Sequence, residues 1–235
     1  MKNNFNYDET INPGDVIAVG DIHGRYDLLD GMMEKLQGTQ AVVIFLGDII
    51  DRGGQDIQVV ERIRKLTEDP ESEGLSGCFC LMGNHEDMFI EAVTGSGDAW
   101  GTWLYNGGNF EQYGELQEHL DWFEDLPIYV TIGPTLFIHA GIWPRVNPVT
   151  TINAGQTQTI LWMREPFLSQ GPHFEKWNPE LKEVVFGHTP ADDGKPYRIP
   201  QGICIDTGAF FSNTLTAYNA TRSTLMQFTA VPAAV

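Results

Sequence analysis

DVIAVGDIHG at residues 15–24 is an apolar run that stops at Asp21, with His23 two residues further on. AVVIFLGDIIDRG at 41–53 repeats the device and stops at Asp48. CFCLMGNHE at 78–86 stops at Asn84, TLFI stops at His139 and VVFG at His188. In four of the five, a glycine directly precedes the donor: Gly20, Gly47, Gly83 and Gly187. Short runs rich in Val, Ile, Leu and Phe suit strands buried on both faces. Ligands of open α/β sheets collect beyond the carboxyl ends of strands. Glycine there lets the backbone turn sharply and approach a ligand closely. A single Asp after a strand is usually a helix cap. Six donors delivered in the same way point to a metal site at one end of a sheet.

The donors are two carboxylates, one amide and three imidazoles. That set is too hard for a thiolate site and richer in nitrogen than a calcium or magnesium cage, and it suits Mn, Fe or Zn. Six donors are too many for one catalytic ion that keeps a position open. Two transition-metal ions sharing a carboxylate are therefore expected, manganese first in vitro, with iron or zinc as alternatives. Asp21 and His23, at i and i+2, can point the same way.

A chain of 235 residues can bury the core of one α/β domain, and residues 1–235 are read as a single unit. The formal net charge of −18 argues against nucleic acid as a partner, since backbone binding needs a basic face. A small phosphate substrate is still allowed, because metal ions make the pocket locally positive. No apolar stretch approaches the ~20 residues of a membrane span. The start, MKNNFNYDETINPGD, lacks a basic patch followed by an apolar segment. A cytoplasmic protein without membrane contact is expected. Cys78 and Cys80, on one strand face, and Cys204 read as small buried residues.

Tyr26–Leu36 and Ile57–Leu66 show helical spacing between the first apolar runs, a βαβαβ order. Residues 86–126 read as helical and rich in aromatics, broken by NGG at 106–108; the segment is either a cap beside the site or packing for the sheet. After Pro127 the runs IYVTI, TLFIHA, VVFGH, GICIDTG, TLTAYNA and TLMQFTA read as strands, with hairpins expected. Parallel βα units first and antiparallel strands later imply an α/β fold, two mixed β-sheets packed as a sandwich flanked by helices.

GDIHG, GDIIDRG, GNHE, HAG at 139–141 and GH at 187–188, in this order, resemble the signature of calcineurin-like metallophosphoesterases. GDIIDRG with GNHE, NGGNFEQYG and LWMRE resembles more narrowly the bacterial and phage Ser/Thr phosphoprotein phosphatases, and IDTGA at 205–209 extends the match. The resemblance implies that Asp21, His23 and a shared Asp48 hold one metal, and that Asp48, Asn84, His139 and His188 hold the other. It implies in-line attack by a hydroxide between the ions, with His85 as general acid, Asp51 as its partner, and Arg52 and Arg164 gripping the phosphate together with Asn84. His119 and His173 belong to no motif and read as surface residues.

The implied activity is a phosphomonoesterase acting on phosphoserine and phosphothreonine proteins or peptides, with small aryl phosphates accepted in vitro. One alternative is a symmetrical dinucleoside tetraphosphatase or another small-molecule phosphoesterase. Another is a pseudo-enzyme that binds phosphoproteins without turnover. With 14 Lys plus Arg against 32 Asp plus Glu, a long polyphosphate finds few cations beyond the metals, so dinucleotides are expected to be poor substrates.

Overall fold

The computed structural model describes residues 6–95, 98–147 and 157–230. The three apolar runs ahead of Asp21, Asp48 and Asn84 form parallel strands β1 (Val16–Val19), β2 (Val42–Phe45) and β3 (Gly77–Cys80). Helices α1 (Tyr26–Leu36) and α2 (Asp56–Glu68) link them. α1 buries Leu28, Leu29, Met32, Met33 and Leu36, the stripe its spacing implied. A late hairpin, β9 (Thr214–Asn219) and β10 (Thr224–Thr229), joins this sheet antiparallel to β1, giving the order β10-β9-β1-β2-β3.

The second sheet has the order β4-β5-β6-β8-β7. Its strands are β4 (Tyr129–Ile132), β5 (Thr135–Ile138), β6 (Glu183–Phe186), β7 (Tyr197–Ile199) and β8 (Gly202–Cys204). Here the expectation of antiparallel strands needs correction. β5, β6 and β8 are parallel, and only the edge strands β4 and β7 run against them. The physical reason is burial. β5 and β8 are buried along their whole length and β6 along most of it, which is how parallel strands covered on both faces behave. β7 was not among the expected strands; it is three residues long and half exposed at the edge.

The period-two alternation of the strands builds three packed layers. Ala18, Ile44, Leu46 and Leu81 meet Phe137, Val185, Ile203 and Ile205 between the sheets. Ile17, Val19, Val43 and Phe45 face the other way, onto α1 and α2. Leu136, Ile138, Val184 and Phe186 form the outer core of the second sheet. Residues 86–126 give α3 (Asn84–Thr94), α4 (Ala99–Tyr105) and two short helices, Tyr113–Gln117 and Leu120–Glu124. The break falls at NGG, where Gly107 takes φ +110°. Phe89 packs edge-on against Trp103 and Phe123, at 5.4 and 5.6 Å between ring centroids. All three cysteines are free and buried, as expected. His119 lies beside Arg64 and His173 beside Glu175, both partly exposed. Among the described residues, no helix is long and apolar enough to cross a membrane.

Candidate metal centre

The donors follow the carboxyl ends of β1, β2, β3, β5 and β6, and the two sheets bring these ends together. The chain turns sharply after β1, β2 and β6. His23, Asp48, Asp51, Arg52 and His188 all have φ between +50° and +71°, in the left-handed region that non-glycine residues rarely enter. Each such residue costs about 1–3 kcal/mol and persists only where its surroundings over-determine it. Here backbone bonds do so: Ile22 and His23 N–H both donate to the Asp48 carbonyl, and Gly24 N–H donates to that of Ile49. His188 N–H donates to Asp21 Oδ2 at 3.0 Å. The glycines ahead of the donors are explained by space. A Cβ on Gly187 would lie 2.0 Å from Asp21 Oδ1, and one on Gly83 2.3 Å from Asp48 Oδ1.

The buried carboxylate of Glu86 ties two of these turns together. It accepts the N–H groups of Asp48 (2.8 Å), Ile49 (2.9 Å) and Gly83 (2.8 Å). The loop after β2 and the start of α3 are thus fixed to one side chain.

Asp48 stands between two groups of donors: His23 and His85 on one side, His139 and His188 on the other. Its Oδ2 is 3.6 Å from His23 Nε2 and 3.9 Å from His85 Nε2, while its Oδ1 is 3.3 Å from His139 Nε2. Asn84 Oδ1 lies 2.9 Å from His139 Nε2 and 2.7 Å from His188 Nδ1. His23 Nδ1 donates to the Ile50 carbonyl and His139 Nδ1 to that of Leu46. Those bonds fix the tautomers, so both Nε2 atoms carry lone pairs. At His139, lone pairs therefore face lone pairs on Asn84 and Asp48. Protonating the rings is disfavoured: burial lowers the pKa of His139 and of His23, and takes His188 down to about 3. Asp21 Oδ1 and His188 Nε2 are buried without a hydrogen-bond partner. A cation on each side of Asp48 would satisfy the lone pairs that face one another there, and the donor set fits the transition metals expected. Burial opposes charge on Asp48, but the surrounding imidazoles outweigh it and hold its carboxyl well below the usual range.

Asp21 is the donor placed least as expected. His85, not Asp21, completes the tighter group with His23 and Asp48. Burial, followed by the charges of Asp206 and Asp48, pushes the Asp21 carboxyl well up. Asp206 is also buried, accepts Gly208 N–H at 2.8 Å, and is pushed up to about 7 by burial. No role was read from it, yet GICI ending at Asp206 is the same signal of an apolar run stopping at a donor.

His85 Nδ1 donates to Asp51 Oδ2 at 2.6 Å. Burial alone would lower this ring's pKa, but Asp48 and Asp51 reverse the effect and raise it. Burial raises Asp51 in turn. Arg52 reaches over the centre, donating to His23 Nε2 at 2.7 Å and to His85 Nε2 at 2.8 Å. This contact needs a lone pair on His85 Nε2, so Arg52 must turn away when that atom is protonated. The guanidinium also lies 4.9 Å from the centroid of Phe210, whose ring packs edge-on to His23 at 5.5 Å. Phe210 and Phe211 are 38% and 53% exposed, an aromatic lip beside Arg52 that sequence reading missed. Arg164 is exposed, and its charge is felt at His139 and His188, which sets it toward the other side of the centre.

A family model described as calcineurin-like phosphoesterase matches residues 14–212. The asymmetrical bis(5'-nucleosyl)-tetraphosphatase of Bacillus subtilis strain 168 is 25% identical over 224 residues, covering 85% of this chain and 88% of that protein. Serine/threonine-protein phosphatase 2 of Escherichia coli K12 is 34% identical over 125 residues, 49% of this chain and 51% of that one. The solved structure of a cold-active protein-tyrosine phosphatase from a psychrophilic Shewanella species matches with a TM-score of 0.63 at 18% identity, over 92% of this chain and 81% of that one. It shares the fold.

Proposed function

The chain belongs to the calcineurin-like phosphoesterase family of metal-dependent hydrolases, and we propose that its substrate is a dinucleoside polyphosphate. Asp21, His23, Asp48, Asn84, His139 and His188 would hold two cations, with Asp48 shared. When bound, the cations neutralise phosphoryl oxygens and acidify the attacking water. Arg52 supplies a planar donor fork for phosphate oxygens, and Arg164 a second cation at the opposite side. His85 holds a proton for the leaving oxygen, and Asp51 fixes the ring through Nδ1.

The observation that carries the substrate class is the exposed Phe210 ring against Arg52 and His23. It sets a flat apolar face beside the phosphate grip, where a nucleobase can stack. A relative matched over most of the chain is a dinucleoside tetraphosphatase, which supports the same reading. The sequence motifs GDIIDRG and GNHE favour a phosphoprotein substrate, and the scarcity of cations counts against a dinucleotide. A phosphoprotein remains the second reading, and the Asp51–His85 pair favours it. An alkoxide leaving from serine needs a proton more than a leaving nucleotide phosphate does.

The test compares kcat/KM on diadenosine tetraphosphate with that on a phosphothreonine peptide, at equal manganese. The dinucleotide is expected to win by about tenfold or more. The opposite order would reinstate the phosphoprotein reading. Failure on both, and on p-nitrophenyl phosphate, would leave only the non-catalytic alternative.

A further inference from the structure

Among the described residues Trp103 is the largest fully buried side chain, and its indole N–H points at Asp51 rather than into the aromatic cluster around it. Nε1–H donates to both oxygens of Asp51, at 3.0 and 3.1 Å. Asp51 Oδ2 in turn accepts from His85 Nδ1 at 2.6 Å. The ring of Trp103 is held by Phe89 at 5.4 Å, Trp100 at 5.5 Å and Tyr113 at 6.1 Å between centroids. Gly108 closes over it: a Cβ there would sit 2.3 Å from the indole. The same corner of the chain reaches Arg52, whose N–H donates to the Gly107 carbonyl at 3.0 Å.

A carboxylate inside the protein, in a backbone conformation as strained as that of Asp51, has few ways to keep its orientation. A rigid donor on a ring that cannot move is one of them. We propose that Trp103 is a positioning residue for the Asp51–His85 pair, and that α4 with the NGG turn is the second layer of the site rather than a cap. The inference rests on the reading of the chain as a phosphoester hydrolase in which His85 serves the leaving oxygen. Its physical content, an indole that orients Asp51 and thereby His85, can be read without turnover.

The experiment uses the whole chain with Trp103→Phe, which keeps an aromatic ring and removes the donor. Trp100→Phe is the control, since it removes an indole from the same cluster without touching Asp51. In metal-free protein, NMR follows the His85 ring N–H proton, identified by its loss in His85→Asn. Trp103→Phe is expected to shift or broaden this signal, and Trp100→Phe to leave it in place. With manganese, Trp103→Phe is expected to lower kcat/KM about tenfold more on an alkyl phosphate than on p-nitrophenyl phosphate, because only a basic leaving group needs the oriented acid. Manganese affinity by calorimetry should not change. An unmoved His85 signal overturns the proposal, as does an equal loss on both substrates or an effect matched by Trp100→Phe. If the parent protein hydrolyses no phosphoester, the hydrolase reading fails, and the NMR result alone decides whether Trp103 orients the pair.

Discussion

Single residues at this centre are held in conformations they would not choose. Five of them sit at positive φ, held by bonds such as those from Ile22 and His23 N–H to the Asp48 carbonyl and from Arg52 N–H to the Gly107 carbonyl. Asp56 shows the cost of such packing. It is fully buried, neither carboxyl oxygen has a hydrogen-bond partner, and burial with the nearby Asp51 charge pushes it up to about 7. Its unfolded pKa is about 3.9. Between those values the unfolded chain has lost the proton that the folded one keeps, so Asp56 erodes stability as pH rises from about 4 to about 7. Asp56→Asn should therefore raise Tm by a few degrees, about 2–4 °C per kcal/mol for a chain of this size, and more at pH 8 than at pH 5. Calorimetry at the two pH values checks the sign; a gain larger at pH 5 would contradict the assignment. Phe210 gives a second residue-scale outcome. If its ring carries a base, Phe210→Ala should raise KM for diadenosine tetraphosphate by about tenfold, from the ~1–3 kcal/mol a stacked base is worth. Steady-state kinetics on p-nitrophenyl phosphate should show little change, and equal losses on both would remove Phe210 from substrate binding.

At the scale of elements, the donor pattern was legible because it is local. An apolar run, a glycine and a donor are neighbours in the chain, so β1, β2, β3, β5 and β6 and the donors after them could be read in order. What depends on tertiary placement was not legible. The spacing of residues 86–126 showed helices, but nothing local showed that Trp103 faces Asp51 across the molecule. Parallel pairing of β5 and β6 goes with the short helices Thr157–Trp162 and Phe167–Gln170 in the connection between them, whose Ile160 and Phe167 cover the sheet, and that packing is not visible in the local pattern. Asp206 carried a readable signal that was given no role. The glycines are the sharpest element-scale test. Gly187 ends β6 against the Asp21 carboxylate, while Gly114, in the short helix Tyr113–Gln117, has nothing within 4 Å of where a Cβ would stand. Gly187→Ala is expected to weaken manganese binding by about 10–100-fold, the usual effect of disturbing a group that orients a ligand. Gly114→Ala should leave binding unchanged and favour its helix slightly. Titration calorimetry measures both, and full affinity in Gly187→Ala would place Asp21 outside the metal site.

At the scale of the whole molecule, the two sheets exist in this arrangement because their inner faces share one core, and that core aligns strand ends far apart in sequence. The contact from His188 N–H to Asp21 spans 167 positions. An acidic chain of net charge −18 can still receive an anion, because two divalent ions bring about four positive charges against the two carboxylates that would bind them. On the proposed reading everything functional hangs on Asp48 standing between two cations. Anomalous diffraction from manganese-soaked crystals of the full chain tests this directly. Two manganese peaks are expected about 3.5–4 Å apart, one toward His23 and one toward His139 and His188, each in contact with the Asp48 carboxylate. A single peak, or a pair that Asp48 does not bridge, would contradict the shared-carboxylate centre.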